Sequence, residues 1–124
     1  MRRQYSEEQE VALIDAVQSA LLDAFRSPPG DRDLRLLTHA PHRFACPPSC
    51  AQPEAYTVIS IDCFAGRSLD AKRSLYKNIV DNLAPLGIPP DHIKILLRKI
   101  PAQDWGVRGG EAACDVELGF KVDV

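Results

Sequence analysis

Between Ser6 and Phe25 the apolar residues Leu13, Val17, Leu21 and Phe25 recur every fourth position, with Ile14 beside them, and draw one stripe along a helix. Ser6-Glu7-Glu8-Gln9 ahead of the stripe has the form of a capping box, in which the Ser and Gln side chains each satisfy a backbone amide left open at the helix start. Pro28-Pro29-Gly30 is the expected stop. The same period returns after Ser68, with Asp70 in the first turn, and runs through Leu75, Tyr76, Ile79 and Leu83 to Gly87. Before this second helix, Tyr56 to Phe64 is rich in β-branched residues (Thr57, Val58, Ile59, Ile61) and reads as a strand. Each helix is followed by a proline-containing turn with an acidic residue, Asp31 or Asp91, and then by a short apolar strand. These strands are Leu34-Arg35-Leu36-Leu37, closed by Pro41, and Ile93-Lys94-Ile95-Leu96-Leu97, closed by Pro101. The halves therefore repeat at about sixty residues, which points to a duplicated supersecondary unit.

The symmetry is broken at the start. Only Met1 to Tyr5 precede the first cap, and Arg2-Arg3-Gln4 does not read as a buried strand, so the first unit is expected to have a shortened or missing leading strand. The sheet edge this exposes needs a cover, such as another subunit. In Glu117 to Val124, apolar and polar or small residues alternate, giving an apolar face of Leu118, Phe120, Val122 and Val124 that must be buried on its own sheet or on a neighbour's. The pattern predicts a single α/β (α+β) domain of tandem β-α-β units, a small sheet with two helices on one face. Residues 1–45 are expected to form the truncated first unit, 46–55 the linker, and 56–124 the second unit with a carboxy-terminal strand.

Composition narrows the reading. At 124 residues with 45% hydrophobic positions the chain fits one ordinary globular domain. A formal net charge of −2 offers no electrostatic case for nucleic acid or an anionic membrane surface. No apolar run is long enough for a membrane span, and no secretory leader is visible, so a cytoplasmic protein is expected. The four cysteines are accordingly expected as reduced thiols, with Cys63 and Cys114 as small buried hydrophobes and no loop disulfide between Cys46 and Cys50.

Two motifs carry the chemistry. Cys63-Phe64-Ala65-Gly66-Arg67-Ser68 takes a strand into a helix cap with an arginine at the junction, and Trp105-Gly106-Val107-Arg108-Gly109-Gly110 is a Gly-rich turn with the chain's only Trp. With the helix and strand between them, residues 56–116 resemble a 4-oxalocrotonate tautomerase subunit of the tautomerase superfamily. The two-unit length, Asp104-Trp105-Gly106 and Pro29-Gly30-Asp31-Arg32 are similar to the longer members, such as malonate semialdehyde decarboxylases. The resemblance implies a homotrimer of two-unit chains and a pocket for a small carboxylate or 2-oxo acid, with no cofactor. In that superfamily an amino-terminal proline amine transfers the proton, its pKa lowered by a desolvated, cationic site.

Position by position, the resemblance makes Arg67 the junction arginine that binds carboxylate, Trp105 the aromatic wall, and Asp31 an acidic residue that orients or activates water. Lys94 falls where single-unit enzymes place another arginine; it keeps the charge and loses the bidentate fork. Arg108, between glycines, is a further anion-binding candidate. Two departures matter: Ala65 stands where the decarboxylases carry a second arginine, and the chain begins Met1-Arg2-Arg3 without the proline. Thr57 aligns with that proline in the second unit but is internal. The resemblance therefore implies weak or absent keto–enol tautomerase activity, with the Met1 amine or Asp31 as replacement base. The alternatives are an active tautomerase, decarboxylase or dehalogenase with another base or a true start upstream, and a non-catalytic structural or binding subunit. His39, His42, Cys46 and Cys50 supply four donors within a short span, but the prolines between the cysteines and the strand-end position of His39 depart from the usual zinc spacings, and no metal is expected.

Overall fold

The structure is a computed structural model and describes residues 5–119. Helix α1 spans Glu7–Phe25 and opens with the expected capping box: Gln9 N donates to Ser6 Oγ (3.2 Å) and Ser6 N to Gln9 Oε1 (2.9 Å). Glu7, Glu8 and Glu10 place negative charge at the positive end of the helix dipole. The stop comes before the prolines. Arg26 adopts a left-handed conformation (φ 53°) that turns the chain out of the helix immediately after Phe25.

The second unit is a complete β-α-β crossover. Strand β1 (Thr57–Phe64) pairs in parallel with β2 (Ile93–Ile100), from Thr57 opposite Ile93 to Phe64 opposite Ile100. Strand β2 runs three residues past the expected Leu97, because the ladder continues until Pro101 removes a donor. Between the strands lies α2 (Leu69–Leu83), capped where Ala71 N donates to Ser68 Oγ at 3.1 Å. It tightens into a 3-10 turn at Ala84–Leu86 and leaves through Gly87 (φ 87°). A short antiparallel hairpin follows, β3 (Gly106–Val107) with β4 (Glu111–Ala112), its turn at Arg108-Gly109-Gly110 having positive φ at all three residues.

Alternation along β1 and β2 sends Ile59, Ile61, Ile93, Ile95 and Leu97 toward the helices. There they pack on a core of Leu13, Ala20 and Phe25 from α1, Leu75, Ile79 and Leu83 from α2, Cys63 and Ile88. Val58, Ser60 and Asp62 with Lys94, Leu96 and Arg98 form the opposite, exposed face, tied by an Arg98–Asp62 bond of 2.5 Å. Two partly buried amide contacts hold the helical layer: Asn82 Nδ2 donates to Ala16 O (3.0 Å), and Gln18 Nε2 to Asp31 O (3.2 Å).

The first half departs from its pattern. Residues 34–37 belong to neither sheet among the described residues; Leu36 packs on the core, while Leu37 is exposed. A strand needs a neighbouring edge to complete its ladder, and an apolar run alone does not supply one. The leading segment 1–4 and most of the expected carboxy-terminal strand lie outside the described residues. The Pro-rich stretch from Pro41 to Ala55 is packed down through short 3-10 turns, and Cys50, Ala55 and Tyr56 are buried. Cys63 is buried as expected, but Cys114 is exposed, because it sits in a one-turn 3-10 helix after the hairpin with its Sγ 3.7 Å from Asp115 Oδ1. No helix among the described residues is long and apolar enough to cross a membrane.

Candidate functional site at the end of the parallel ladder

The β1–β2 ladder ends at Phe64 opposite Ile100, and one more bond, Ala65 N to Ile100 O (3.1 Å), carries it to the junction. Gly66 then takes φ 128°, a conformation L side chains rarely adopt, and this turn aims Arg67 back under the strand end. Arg67 is not the solvated surface arginine its neighbours would suggest: it is 8% exposed. Its Nη1 donates to Phe64 O at 3.0 Å, and its guanidinium lies 4.8 Å from the centre of the Phe25 ring. The acidic residues nearest in sequence are engaged elsewhere, Asp70 with Arg73 and Asp62 with Arg98. Burial lowers the Arg67 pKa, and the negative ends of Cys63 and Asp31 work against that shift. The guanidinium nonetheless remains a fixed positive charge, since its reference value is so high.

Trp105 is held to the same strand end. Its Nε1 donates to Ile100 O (3.1 Å), and its ring packs on Phe64 with centroids 4.7 Å apart and planes tilted by 42°. Ala113 N donates to Trp105 O (2.9 Å), so the hairpin is tied to the same residue. Phe64 is thus the hinge of the site, with its carbonyl on Arg67 and its ring on Trp105. The Asp31 backbone is pinned by Gln18 and by its own N–H to Pro28 O (2.9 Å). Arg67 is thus a desolvated cation at the strand end that also holds Trp105, and a guanidinium is suited to hold an organic anion through charge-assisted bonds.

The remaining candidates lie apart. Lys94 is opposite Val58 near the start of the ladder, exposed on the outer face and six residues from Ile100, about 20 Å at the usual rise per residue. Arg108 is exposed at the hairpin tip with φ 48°. Thr57 is buried and donates to Ala55 O (2.9 Å), and Met1 lies outside the described residues. His39 stacks on Phe44 with ring centroids 5.3 Å apart, and His42 sits in an exposed turn. Among the described residues no three His, Cys, Asp or Glu side chains gather as metal ligands. Sequence reasoning missed Phe25, Phe64 and Gln18 as parts of the site. Phe64 stood inside the junction motif, but nothing in it showed which group its carbonyl would accept.

The model of the tautomerase enzyme family matches residues 31–108. The chain belongs to the tautomerase family. A probable tautomerase of Ralstonia nicotianae is 30% identical over 53 residues, which cover 42% of this chain and 76% of that protein. Among solved structures, a malonate semialdehyde decarboxylase inhibited by 3-bromopropiolate is 27% identical, with 90% of this chain and 87% of that one aligned at a TM-score of 0.80. A fused 4-OT, solved as an asymmetric trimer, aligns over 97% of this chain and 95% of its own at a TM-score of 0.82. At 24% identity this second likeness speaks for the fold. The fold is the tautomerase fold, and the motif-bearing segment from Asp31 to Arg108 is the part that the family model covers.

Proposed function

We propose that this tautomerase-family chain binds a small carboxylate, of the 2-oxo acid or enol-carboxylate class, at Arg67, with Phe64 and Trp105 as an apolar wall. The observation that carries this reading is the buried guanidinium fixed between the Phe64 carbonyl and the Phe25 ring at a strand end that also holds Trp105. The malonate semialdehyde decarboxylase among the structural relatives supports a carboxylate substrate class. Ala65 leaves Arg67 as the sole cation of its junction, which favours monocarboxylates over dicarboxylates.

We further propose weak keto–enol turnover. Proton transfer requires a base within hydrogen-bond reach of the reacting carbon, and placement matters before pKa. The candidate base in this reading is Asp31, whose negative charge acts against the lowering of the Arg67 pKa and whose backbone is anchored by Gln18. The charge of Asp31 acting on Arg67 favours one second reading, an active enzyme in which Asp31 serves as the replacement base. Ketonisation of phenylenolpyruvate tests the choice. Turnover at the level of an ordinary tautomerase, abolished by Asp31→Asn, would replace the first reading by the second.

The proposal includes self-association as a trimer, the state in which the fused 4-OT relatives were solved. The outer sheet face presents Val58 (36% exposed) and Leu96 (48% exposed) beside Lys94, a surface suited to a neighbouring subunit. Two surface clefts, of about 420 and 280 Å³, lie on the helical layer, and neither is lined by Arg67 or Trp105. A pocket completed by a second subunit fits that geometry and would bring Lys94 to a site other than its own chain's. A monodisperse monomer in sedimentation equilibrium at micromolar concentration would remove this part of the proposal.

A further inference from the structure

Phe25 is the last helical residue of α1, and the chain turns out of the helix at Arg26 immediately after it. Its ring therefore stands on the fixed end of a helix that packs into the core through Leu13 and Ala20 and is tied to α2 by the Asn82 bond to Ala16 O (3.0 Å). The Arg67 guanidinium carbon lies over this ring, 4.8 Å from its centre, while Nη1 donates to Phe64 O at 3.0 Å. The two contacts come from different elements, the carbonyl from β1 and the ring from α1. A hydrogen bond at one nitrogen alone leaves a planar guanidinium able to swing about that bond, and a second contact at its central carbon restrains the swing. A cation buried as deeply as Arg67 needs a partner. A carboxylate in the place of the ring would neutralise it, whereas the ring attracts it through the quadrupole and leaves the charge uncancelled.

We propose that Phe25 is a positioning residue, which holds the Arg67 guanidinium in the orientation that receives the carboxylate. This role rests on Arg67 being the carboxylate-binding group. An arginine side chain gives up rotamer freedom when it closes on an anion, and one already held in place loses less of it on binding. Phe25 belongs to the first unit and Arg67 to the second, so α1 takes part in the site by orienting a side chain of the other unit. Filling the core asks only for an apolar side chain of matching volume and shape. Attracting the cation asks for the negative face of an aromatic ring. The two roles separate once the electronics of the ring are changed and its outline is kept.

The test compares the full wild-type chain with Phe25→Leu and with a chain carrying pentafluorophenylalanine at position 25, which keeps the outline of the ring and reverses its quadrupole. Calorimetry with phenylpyruvate reads binding. The nitrogen–proton resonance of Arg67 Nε, assigned by its loss in Arg67→Gln, reads orientation without any ligand. In the wild type this resonance should be displaced by the ring current of Phe25. In both altered chains, shown to be folded by circular dichroism, it should move toward that of a mobile arginine. Phenylpyruvate should then bind roughly 2- to 10-fold more weakly, the loss expected when a rotamer-rich side chain must be immobilised on binding. Should Phe25→Leu not fold, the fluorinated chain carries the test, since its core is still filled. Wild-type affinity in the fluorinated chain, or an Arg67 resonance that neither substitution moves, would overturn the positioning role and leave Arg67 as the binding group. No binding to the wild-type chain would instead overturn the carboxylate reading, and this role with it.

Discussion

The contact between the Phe25 ring and the Arg67 guanidinium joins the end of α1 to the β1–α2 junction, and its strength can be isolated. Phe25 is 1% exposed and Arg67 8%, so the pair is desolvated, where a cation–π contact is worth about 2 kcal/mol. Replacing Phe25 by Leu removes that term and adds up to about 1.5 kcal/mol for the change of shape in a packed core. The single variant should therefore lose about 2 to 3.5 kcal/mol. Arg67→Gln removes the charge but keeps an amide that can donate to the Phe64 carbonyl. In that background Phe25→Leu should cost only the shape term, up to about 1.5 kcal/mol, leaving a coupling of about 2 kcal/mol. Urea unfolding followed by Trp105 fluorescence supplies the four free energies, all at one protomer concentration because assembly contributes to stability. Additivity within about 0.5 kcal/mol would refute the contact as a stabilising interaction and leave Phe25 as simple core filling.

Other perturbations have equally direct outcomes. Ser6→Ala removes the α1 cap and should cost about 1 kcal/mol in the same urea assay, while an unchanged midpoint would show that the capping box contributes nothing. Gly66→Ala forces a Cβ into φ 128° and should destabilise by about 1 to 3 kcal/mol; wild-type stability would mean that the junction relaxes freely. The Arg98 hydrogen bond lowers the Asp62 pKa, so the folded state favours the carboxylate. Its stabilisation is present above the unfolded value of about 3.9 and is lost as pH falls through the lower folded value. Asp62→Asn should flatten that part of the acid unfolding profile, and an identical profile would count against the pair. Trp105→Phe keeps a ring on Phe64 but loses the bond to Ile100 O, for about 1 kcal/mol, and should blunt binding of aromatic 2-oxo acids.

Local chemistry was legible in the sequence wherever the determinants were themselves local. Ser6 and Gln9 announced the α1 cap, Ser68 the α2 cap, and the β-branched run from Thr57 a strand that pairs along its whole length. The stripe Leu13, Val17, Leu21, Phe25 named the helix face that meets the core, though it did not show that Phe25 would lie under a guanidinium. Leu34 to Leu37 had the composition of a strand, but strandedness depends on an edge supplied from elsewhere in the fold. Arg67 stood out through its Gly-Arg-Ser context, whereas its burial depends on the convergence of α1 and β1, which no spacing encodes. The His92 hydrogen bonds to Gln52 and Asp91 were hidden for the same reason, since Gln52 lies forty residues earlier.

The central claim is that Arg67 holds a carboxylate, and calorimetric titration of phenylpyruvate into the wild-type chain and Arg67→Gln tests it most directly. A hydrogen-bonded charge pair contributes about 1.5 to 3 kcal/mol, so the variant, shown to be folded by circular dichroism, should bind roughly 10- to 100-fold more weakly. Equal dissociation constants for the two proteins, or no binding to the wild type, would contradict the assignment.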